Sequence, residues 1–348
     1  MRMCTYISLA ILLIGTALHI ALPFVIYGEI IGKMKLKKGS TLFESWSSCR
    51  SGIFVEFYIF NVTNINEFMN GSKPVVDQVG PYTYEQMTCK NKVDTFPQNG
   101  TVRYSDKNFF TFLRERSVGL ESDIITVLNI GYIAIADRLG KSSFVDKMIY
   151  MLIKHFYNSQ LFWEKTVHEI IWGYEDPLLK FVNKFLPIQT KIGLYADKNN
   201  SIGPTFEVND GVWDTKNVGQ IISFNGNRKM SVWTTSMANS INGSDGSLFP
   251  PFLKSIAHVF SAELCRSLQF YSSKASEVVY INSVPTIKYS LSKDTFLSPQ
   301  ENPNNRGFCL DYPNCPKSGV LDMRTCMKGA PIAISLPHFN GVKFCQIY

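Results

Sequence analysis

Residues 6–27 read YISLAILLIGTALHIALPFVIY, a run of 22 positions without a formal charge. The hydrocarbon core of a bilayer is roughly 30 Å thick and a helix rises about 1.5 Å per residue, so about 20 apolar residues cross it. The run therefore predicts one membrane-spanning helix. His19 and Pro23 are its unusual members, and both fall in the C-terminal half, where a kink or an interfacial position lowers their cost. A cleaved secretory signal would also begin with a basic residue, here Arg2, and an apolar run. Two features oppose that reading: the run exceeds the usual h-region of about 7–15 residues, and Pro23-Phe24-Val25-Ile26-Tyr27 offers no small-x-small cleavage site. The expectation is a retained anchor with residues 1–5 as a short cytosolic tail, in which Cys4 is a candidate for palmitoylation or a free structural thiol.

Outward from the anchor, Lys33, Lys35, Lys37 and Lys38 make residues 28–38 a basic stalk, suited to lipid headgroups or to a solvated linker. By the positive-inside rule these lysines would hold the long C-terminal part in the cytosol. Five sequons oppose them, at Asn61, Asn70, Asn99, Asn199 and Asn242, each followed two residues on by Ser or Thr with no intervening Pro. Together with seven cysteines beyond the helix they favour the lumenal or extracellular side for residues 39–348. Long domains translocate largely regardless of flanking charge, so the sequons decide the topology.

Of the 348 residues 45% are hydrophobic and 13% aromatic, ample for a large buried core once the anchor is set aside. The region 39–348 has no Pro/Gly/Ser-rich linker and no internal repeat, which favours one ectodomain. The net charge of +7 interleaves both signs beyond the lysine cluster, too dilute for a nucleic-acid protein.

Along the chain, residues 53–62 are rich in β-branched and aromatic side chains and predict a strand. Gly80-Pro81 interrupts a second pattern over residues 73–87, and Asn99-Gly100 marks a turn ahead of Thr101-Val102-Arg103-Tyr104. From Asp123 to Leu139 the apolar residues run around most of a helix, and residues 144–157 and 159–172 predict two more. Asp176-Pro177 supplies an N-cap and a first-turn proline for a short helix through Phe185. Strands then resume: 220–224 and 229–233 flank Asn225-Gly226-Asn227-Arg228 as a hairpin, and residues 278–291 hold a strand pair or one bent strand broken near Pro285. The order strands, helices, strands argues for an α+β fold with a helical insertion on a largely antiparallel β body.

Catalytic constellations are near misses. His168-Glu169-Ile170-Ile171-Trp172 begins like a zinc-protease helix but lacks the second histidine, and there is no Gly-x-Ser-x-Gly elbow, phosphate-binding loop or Cys-x-x-Cys pair. His258 and His338 lie in apolar surroundings that suit structural hydrogen-bond donors. An enzyme is not expected, nor a cofactor or a metal site. Cys309, Cys315 and Cys326 cluster within 18 residues with Cys265 upstream, and in a glycosylated ectodomain disulfides account for them better than metal.

Several motifs now fall into one ordered series. They are Gly80-Pro81-Tyr82-Thr83-Tyr84; Ser117-Val118-Gly119 with Glu121 and Val127-Leu128-Asn129; Trp172-Gly173-Tyr174 with Asp176-Pro177; Ile241-Asn242-Gly243-Ser244-Asp245; Phe249-Pro250-Pro251-Phe252; Glu301-Asn302-Pro303; Gly319-Val320-Leu321-Asp322; and Ser335-Leu336-Pro337-His338-Phe339. As a set, from the anchor to about residue 340, the chain resembles the class B scavenger receptor family. That family includes fatty-acid translocases, high-density-lipoprotein receptors, a lysosomal integral membrane protein and insect sensory-neuron membrane proteins.

The resemblance implies a large antiparallel β-barrel-like ectodomain, a helical bundle at its membrane-distal apex, an internal apolar tunnel and two membrane anchors. Residues at about 123–185 would form the apex, with Lys154, His155 and Phe156 as ligand-binding candidates. It also implies the pairings Cys309–Cys315 and Cys265–Cys326, while Cys49 and Cys89 pair on the weaker ground that both precede strand-like segments. The chain departs from the family in three places. Met327 follows Cys326 where a basic residue is usual, leaving Lys328 as a candidate carboxylate partner; Met237 and Gly307 stand where two further cysteines are frequent; and the chain stops at Tyr348 before a second anchor, as a truncated isoform or incomplete gene model would. The implied function is a membrane receptor that takes lipids, fatty acids or lipoprotein-like particles and passes apolar ligands toward the bilayer. It would act at the plasma membrane with the large domain outside. The alternative is a receptor of the lysosomal or endosomal membrane that binds a lumenal protein through the apex.

Overall fold

In the computed structural model the uncharged run lies inside one long helix, α1 (Arg2–Lys33). The structure describes residues 2–140, 151, 160–184, 188–253, 255–273, 278–327 and 329–340. Leu12, Ile14, Leu18, Ile20 and Phe24 point in different directions around α1, and each is more than half exposed. A helix apolar and exposed on every side is matched to lipid. Its stretch Leu9–Lys33 is long and apolar enough to cross a membrane. The stalk differs from expectation. Helix continues through Lys33, and Leu36, only 1% exposed, plugs the lower core while its N–H donates to Asp210 O at 2.8 Å. One leucine among lysines thus fixes the anchor to the ectodomain.

Ser40 caps α2 (Thr41–Ser47), its hydroxyl accepting from the Phe43 N–H, and the helix buries Phe43 and Trp46 beside Leu36. Next comes β1 (Arg50–Val62), then α3 (Ile65–Met69), β2 (Val76–Phe96) and β3 (Thr101–Phe112), with Asn99-Gly100 in the turn between β2 and β3. Gly80-Pro81 does not end its strand. It sits opposite a register shift between Phe57 and Ile59, and a Cβ at Gly80 would lie 2.6 Å from Phe57 O, so the bulge requires glycine there.

The segment expected to be helical at 123–172 is mixed. Ile124–Leu128 is a strand, β4, followed by α4 (Ile130–Gly140); Phe162–Thr166 is β5, followed by α5 (Val167–Trp172). β4 and β5 pair antiparallel from Ile124 opposite Thr166 to Leu128 opposite Phe162. The β-branched run from Ile124 to Val127 thus pairs with a partner some forty residues on rather than completing a helix. Residues 144–150 and 152–157, expected as another helix, lie outside the described residues. β6 (Tyr174–Glu175), α6 (Pro177–Val182) and β7 (Lys191–Ile192) follow, and α6 begins as expected with Asp176 as N-cap and Pro177 in the first turn.

β8 (Ser201–Asn209) and β9 (Ile221–Phe224) then join the main sheet, whose order is β1-β2-β3-β8-β9 with every pairing antiparallel. It is an open sheet with β1 and β9 at its edges, not the barrel expected from the resemblance. The turn after β9 forms, with Asn225 and Gly226 at positive φ, but residues 229–233 leave it without making the second arm of a hairpin: the Met230 N–H donates to Asn239 O instead. β10 (Ile256–Ser261), β11 (Arg266–Ser272) and β14 (Tyr289–Leu291) make a second sheet. β12 (Val278–Ile281) and β13 (Val284–Ile287) form a hairpin that includes Pro285, and β15 (Val320–Asp322) pairs with β16 (Ala333–Ser335).

Disulfides join Cys49 to Cys89, Cys265 to Cys326 and Cys309 to Cys315. Two buried clusters set the body. One packs Leu36, Phe43, Trp46, Tyr104 and Phe260 near the foot of the sheet; the other packs Phe57, Tyr82, Tyr84, Ile125, Val167 and Ile171 where β4 and α5 cover β1 and β2. Within the first, Lys90 is buried with its Nζ 2.9 Å from Asp106 and 3.2 Å from Asp245.

Candidate functional site

Several sequence-predicted site residues have no described placement: Lys154, His155, Phe156 and Lys328 lie outside the described residues. Cys4 lies in α1. Asn70, Asn99, Asn199 and Asn242 are exposed, whereas Asn61 sits half-buried in β1 and its side-chain oxygen accepts from the Thr126 N–H at 2.9 Å.

A cavity of about 400 Å³ opens where the upper end of β3 meets α5 and β7, lined by Tyr84, Phe110, Phe112, Glu121, His168, Trp172, Lys191, Asp197 and Asn199. Two strand positions apart, Phe110 and Phe112 present their rings on one face of β3. Trp172, the last residue of α5, closes the wall, with ring centroids 5.1 Å from Phe110 and 5.1 Å from Tyr84. α5 is held at that angle by a capping box: Thr166 Oγ1 accepts from the Glu169 N–H, and the Glu169 carboxylate accepts from the Thr166 N–H. Gly173 ends the helix at φ +94, a backbone conformation that favours glycine, and the Lys191 side chain passes close over it.

The polar groups of the cavity are tied together. Tyr84 donates to Glu121 Oε1 at 2.7 Å, and His168 Nδ1 lies 3.2 Å from the same oxygen. Burial, helped by Glu121, pushes the Tyr84 hydroxyl well above its usual value, so it remains a donor at every physiological pH. Beside this group, Tyr82 donates to Asp123 Oδ2 at 3.1 Å, and burial with that bond pushes its hydroxyl up to about 12. At the rim, Lys191 pairs with Asp197 at 2.7 Å, and Asn199 accepts from the Phe110 N–H at 3.0 Å. The lining thus combines aromatic walls with a charged rim, on which Lys191 is held by Asp197 and Glu121 by Tyr84. Among the described residues no group of three or more His, Cys, Asp or Glu is placed to hold a metal ion.

The chain matches the CD36 family over residues 6–342. It is 33% identical over 349 residues to lysosome membrane protein 2 of Mus musculus, covering 97% of this chain and 71% of that one. It is 32% identical over 341 residues to scavenger receptor class B member 1 of Cricetulus griseus, covering 96% of this chain and 65% of that one. The chain belongs to the CD36 family. This is the class B scavenger receptor family whose motifs the sequence carries, and three of those motifs meet at the cavity. Residues 80–84 supply Tyr84, the stretch beginning at Ser117 supplies Glu121, and residues 172–174 supply Trp172. With α1 and the disulfides, CD36 family membership makes this a membrane protein with a disulfide-linked, sheet-rich ectodomain.

Of the cavity residues, Tyr84, Glu121 and Trp172 were visible as motif members, His168 as the start of a failed zinc helix and Asn199 as a sequon. Phe110, Phe112, Lys191 and Asp197 were missed. The spacing of Phe110 and Phe112 on a strand was the one available signal. Nothing in the sequence ties either to residues 191–199.

Proposed function

We propose that this chain is a scavenger-receptor-like membrane protein whose ectodomain takes amphipathic lipids bearing an acidic head, fatty acids among them, through the cavity between β3 and α5. The observation that carries this reading is the aromatic wall of Phe110, Phe112 and Trp172 beneath a rim lysine, Lys191, in a volume of about 400 Å³. That is the size of a site for one small ligand, with rings on one side and polar groups at the rim. The alkyl chain lies against the rings and the head exchanges for Asp197 on Lys191. The reading needs no nucleophile, metal or cofactor, so the protein acts as a receptor and not as an enzyme. From the cavity, apolar ligands pass along an internal tunnel toward the membrane, and lipoprotein-like particles deliver them at the membrane-distal end. The large domain faces outward or lumenally, at the plasma membrane.

The test is palmitate binding to the full chain in phosphatidylcholine nanodiscs. Trp172→Ala is expected to weaken binding at least tenfold, equivalent to about 1.4 kcal/mol, and Lys191→Gln to weaken palmitate more than the uncharged palmitoyl alcohol. Unchanged affinity in both variants would remove the cavity from ligand binding. The 33% identity with lysosome membrane protein 2 across nearly the whole chain favours a second reading, residence in the lysosomal membrane with a lumenal protein as partner. Surface biotinylation separates the two: a chain labelled at the cell surface fits the first, and one found only in lysosomes the second.

A further inference from the structure

Beyond the cavity, the β12–β13 hairpin carries a run of exposed apolar side chains. Val278, Tyr280, Ile281, Val284 and Ile287 range from 47% to 70% exposed. Val278 stands opposite Ile287 and Tyr280 opposite Pro285, so one face of the hairpin carries these four apolar residues and no polar one. A two-stranded hairpin with bare apolar faces is marginal in water and needs cover.

Its position says what covers it. Phe252 stacks on Tyr27 of α1 with ring centroids 5.0 Å apart. Tyr27 precedes the end of α1 at Lys33 by six residues, roughly 9 Å of helix rise, and Leu36, where the chain enters the core, follows three residues later. The loop at Phe252 therefore reaches down beside α1 to the last residue of its uncharged run. The Tyr289 hydroxyl donates to Leu253 O, and the Ser273 N–H to Lys288 O. The base of the hairpin is thus fastened next to Phe252, and β11 and β14 feed it outward from that corner.

We infer that Phe252 and the apolar face of the β12–β13 hairpin lie in the interfacial layer of the same bilayer that α1 crosses. Tyr280 sits at headgroup depth, where an aromatic ring with a polar tip is favoured. This contact sets the tilt of the ectodomain, which α1 alone would leave free. The inference rests on α1 as the membrane helix and is independent of the cavity.

The experiment uses the full chain in phosphatidylcholine nanodiscs with Cys4 and Cys345 replaced by Ser. A nitroxide is attached at Y280C, at I287C or, as a reference, at E115C. Glu115 follows β3, whose first residue, Thr101, lies beside the Leu36 entry; its twelve residues place Glu115 roughly 40 Å away at about 3.3 Å per residue. Power-saturation EPR is expected to show oxygen relaxing the 280 and 287 labels more than a water-soluble nickel chelate does, with the reverse at 115. Labels at 280 and 287 as open to nickel as the one at 115 would overturn the inference. So would shielding from both reagents, which would mean that protein covers the hairpin. Near-native circular dichroism in each labelled variant is the folding control, and two labelled sites on one face guard against a single misplaced nitroxide.

Discussion

Lys90 sits in the lower core with its side chain 1% exposed, and replacing it with methionine tests whether that core depends on a buried charge cluster. Its Nζ lies 2.9 Å from Asp106 Oδ1, 3.2 Å from Asp245 Oδ2 and 3.9 Å from the Tyr104 ring centroid. The contact with Asp106 is an ion pair without hydrogen-bond alignment. Asp245 has other partners: the Tyr104 hydroxyl at 2.6 Å, and the Ser247 hydroxyl and N–H at 2.7 and 2.8 Å. Removing one member of a buried ion pair typically costs about 3–5 kcal/mol because a charge is left uncompensated. The remaining bonds to Asp245 place Lys90→Met toward the lower end, about 3 kcal/mol. With a urea slope of roughly 3 kcal/mol/M, at the upper end for small proteins, the midpoint falls by roughly 1 M, read from tryptophan fluorescence, since Trp46 lies 5.0 Å from Lys90.

The pH dependence gives a second check on the same variant. Burial works to raise the Asp245 carboxyl, but Lys90 and the bonds from Tyr104 and Ser247 outweigh it and hold the group below its usual value. Such a group contributes stability above its unfolded value and loses it as pH falls through the folded one. Burial raises Asp106 despite Lys90. Without the lysine both carboxyls rise, and the variant gains from protonation what the wild type does not. The deficit should therefore be largest at pH 7 and shrink as pH falls through the carboxylate range near pH 4. A deficit under about 1 kcal/mol at pH 7, or one that does not change with pH, would refute the reasoning.

Other expectations follow from separate parts of the fold. By loop length, removing Cys265–Cys326 (separation 61) should cost about 4 kcal/mol and removing Cys309–Cys315 (separation 6) about 2, an order that thermal unfolding of the Ser variants would check. Asp176 is fully buried and accepts from the Leu178 and Leu179 N–H groups, so Asp176→Ala should cost about 1–2 kcal/mol and Asp176→Asn much less, measured by urea midpoint. Glycopeptide mapping should find sugar at the exposed Asn70, Asn99 and Asn242 and least at Asn61, which is half-buried in β1 with its side-chain oxygen engaged by the Thr126 N–H; full occupancy at Asn61 alone would contradict this.

How far the sequence carried the structure depended on how local each signal was. The anchor was legible because 22 uncharged positions have one stable home. The β2–β3 turn at Asn99-Gly100 and the Asp176-Pro177 helix start were legible because a few adjacent residues decide them. The strand at Ile124–Leu128 was not, since an apolar run fits a buried helix or a buried strand and its partner, Phe162–Thr166, is distant in sequence. Leu36 was lost among the stalk lysines because one apolar residue makes no pattern. The cavity suffered most: Phe110, Trp172 and Lys191 come from three elements, and only the β4–β5 pairing and the capped α5 bring them together.

The most direct test of the account is to photolyse a diazirine-bearing palmitate with the full chain in nanodiscs and map the adducts by mass spectrometry. Adducts are expected to concentrate on the peptides holding Phe110, Phe112 and Trp172, to be displaced by unlabelled palmitate and to be lost in Trp172→Ala. Adducts confined to α1, with none at the cavity, would contradict it.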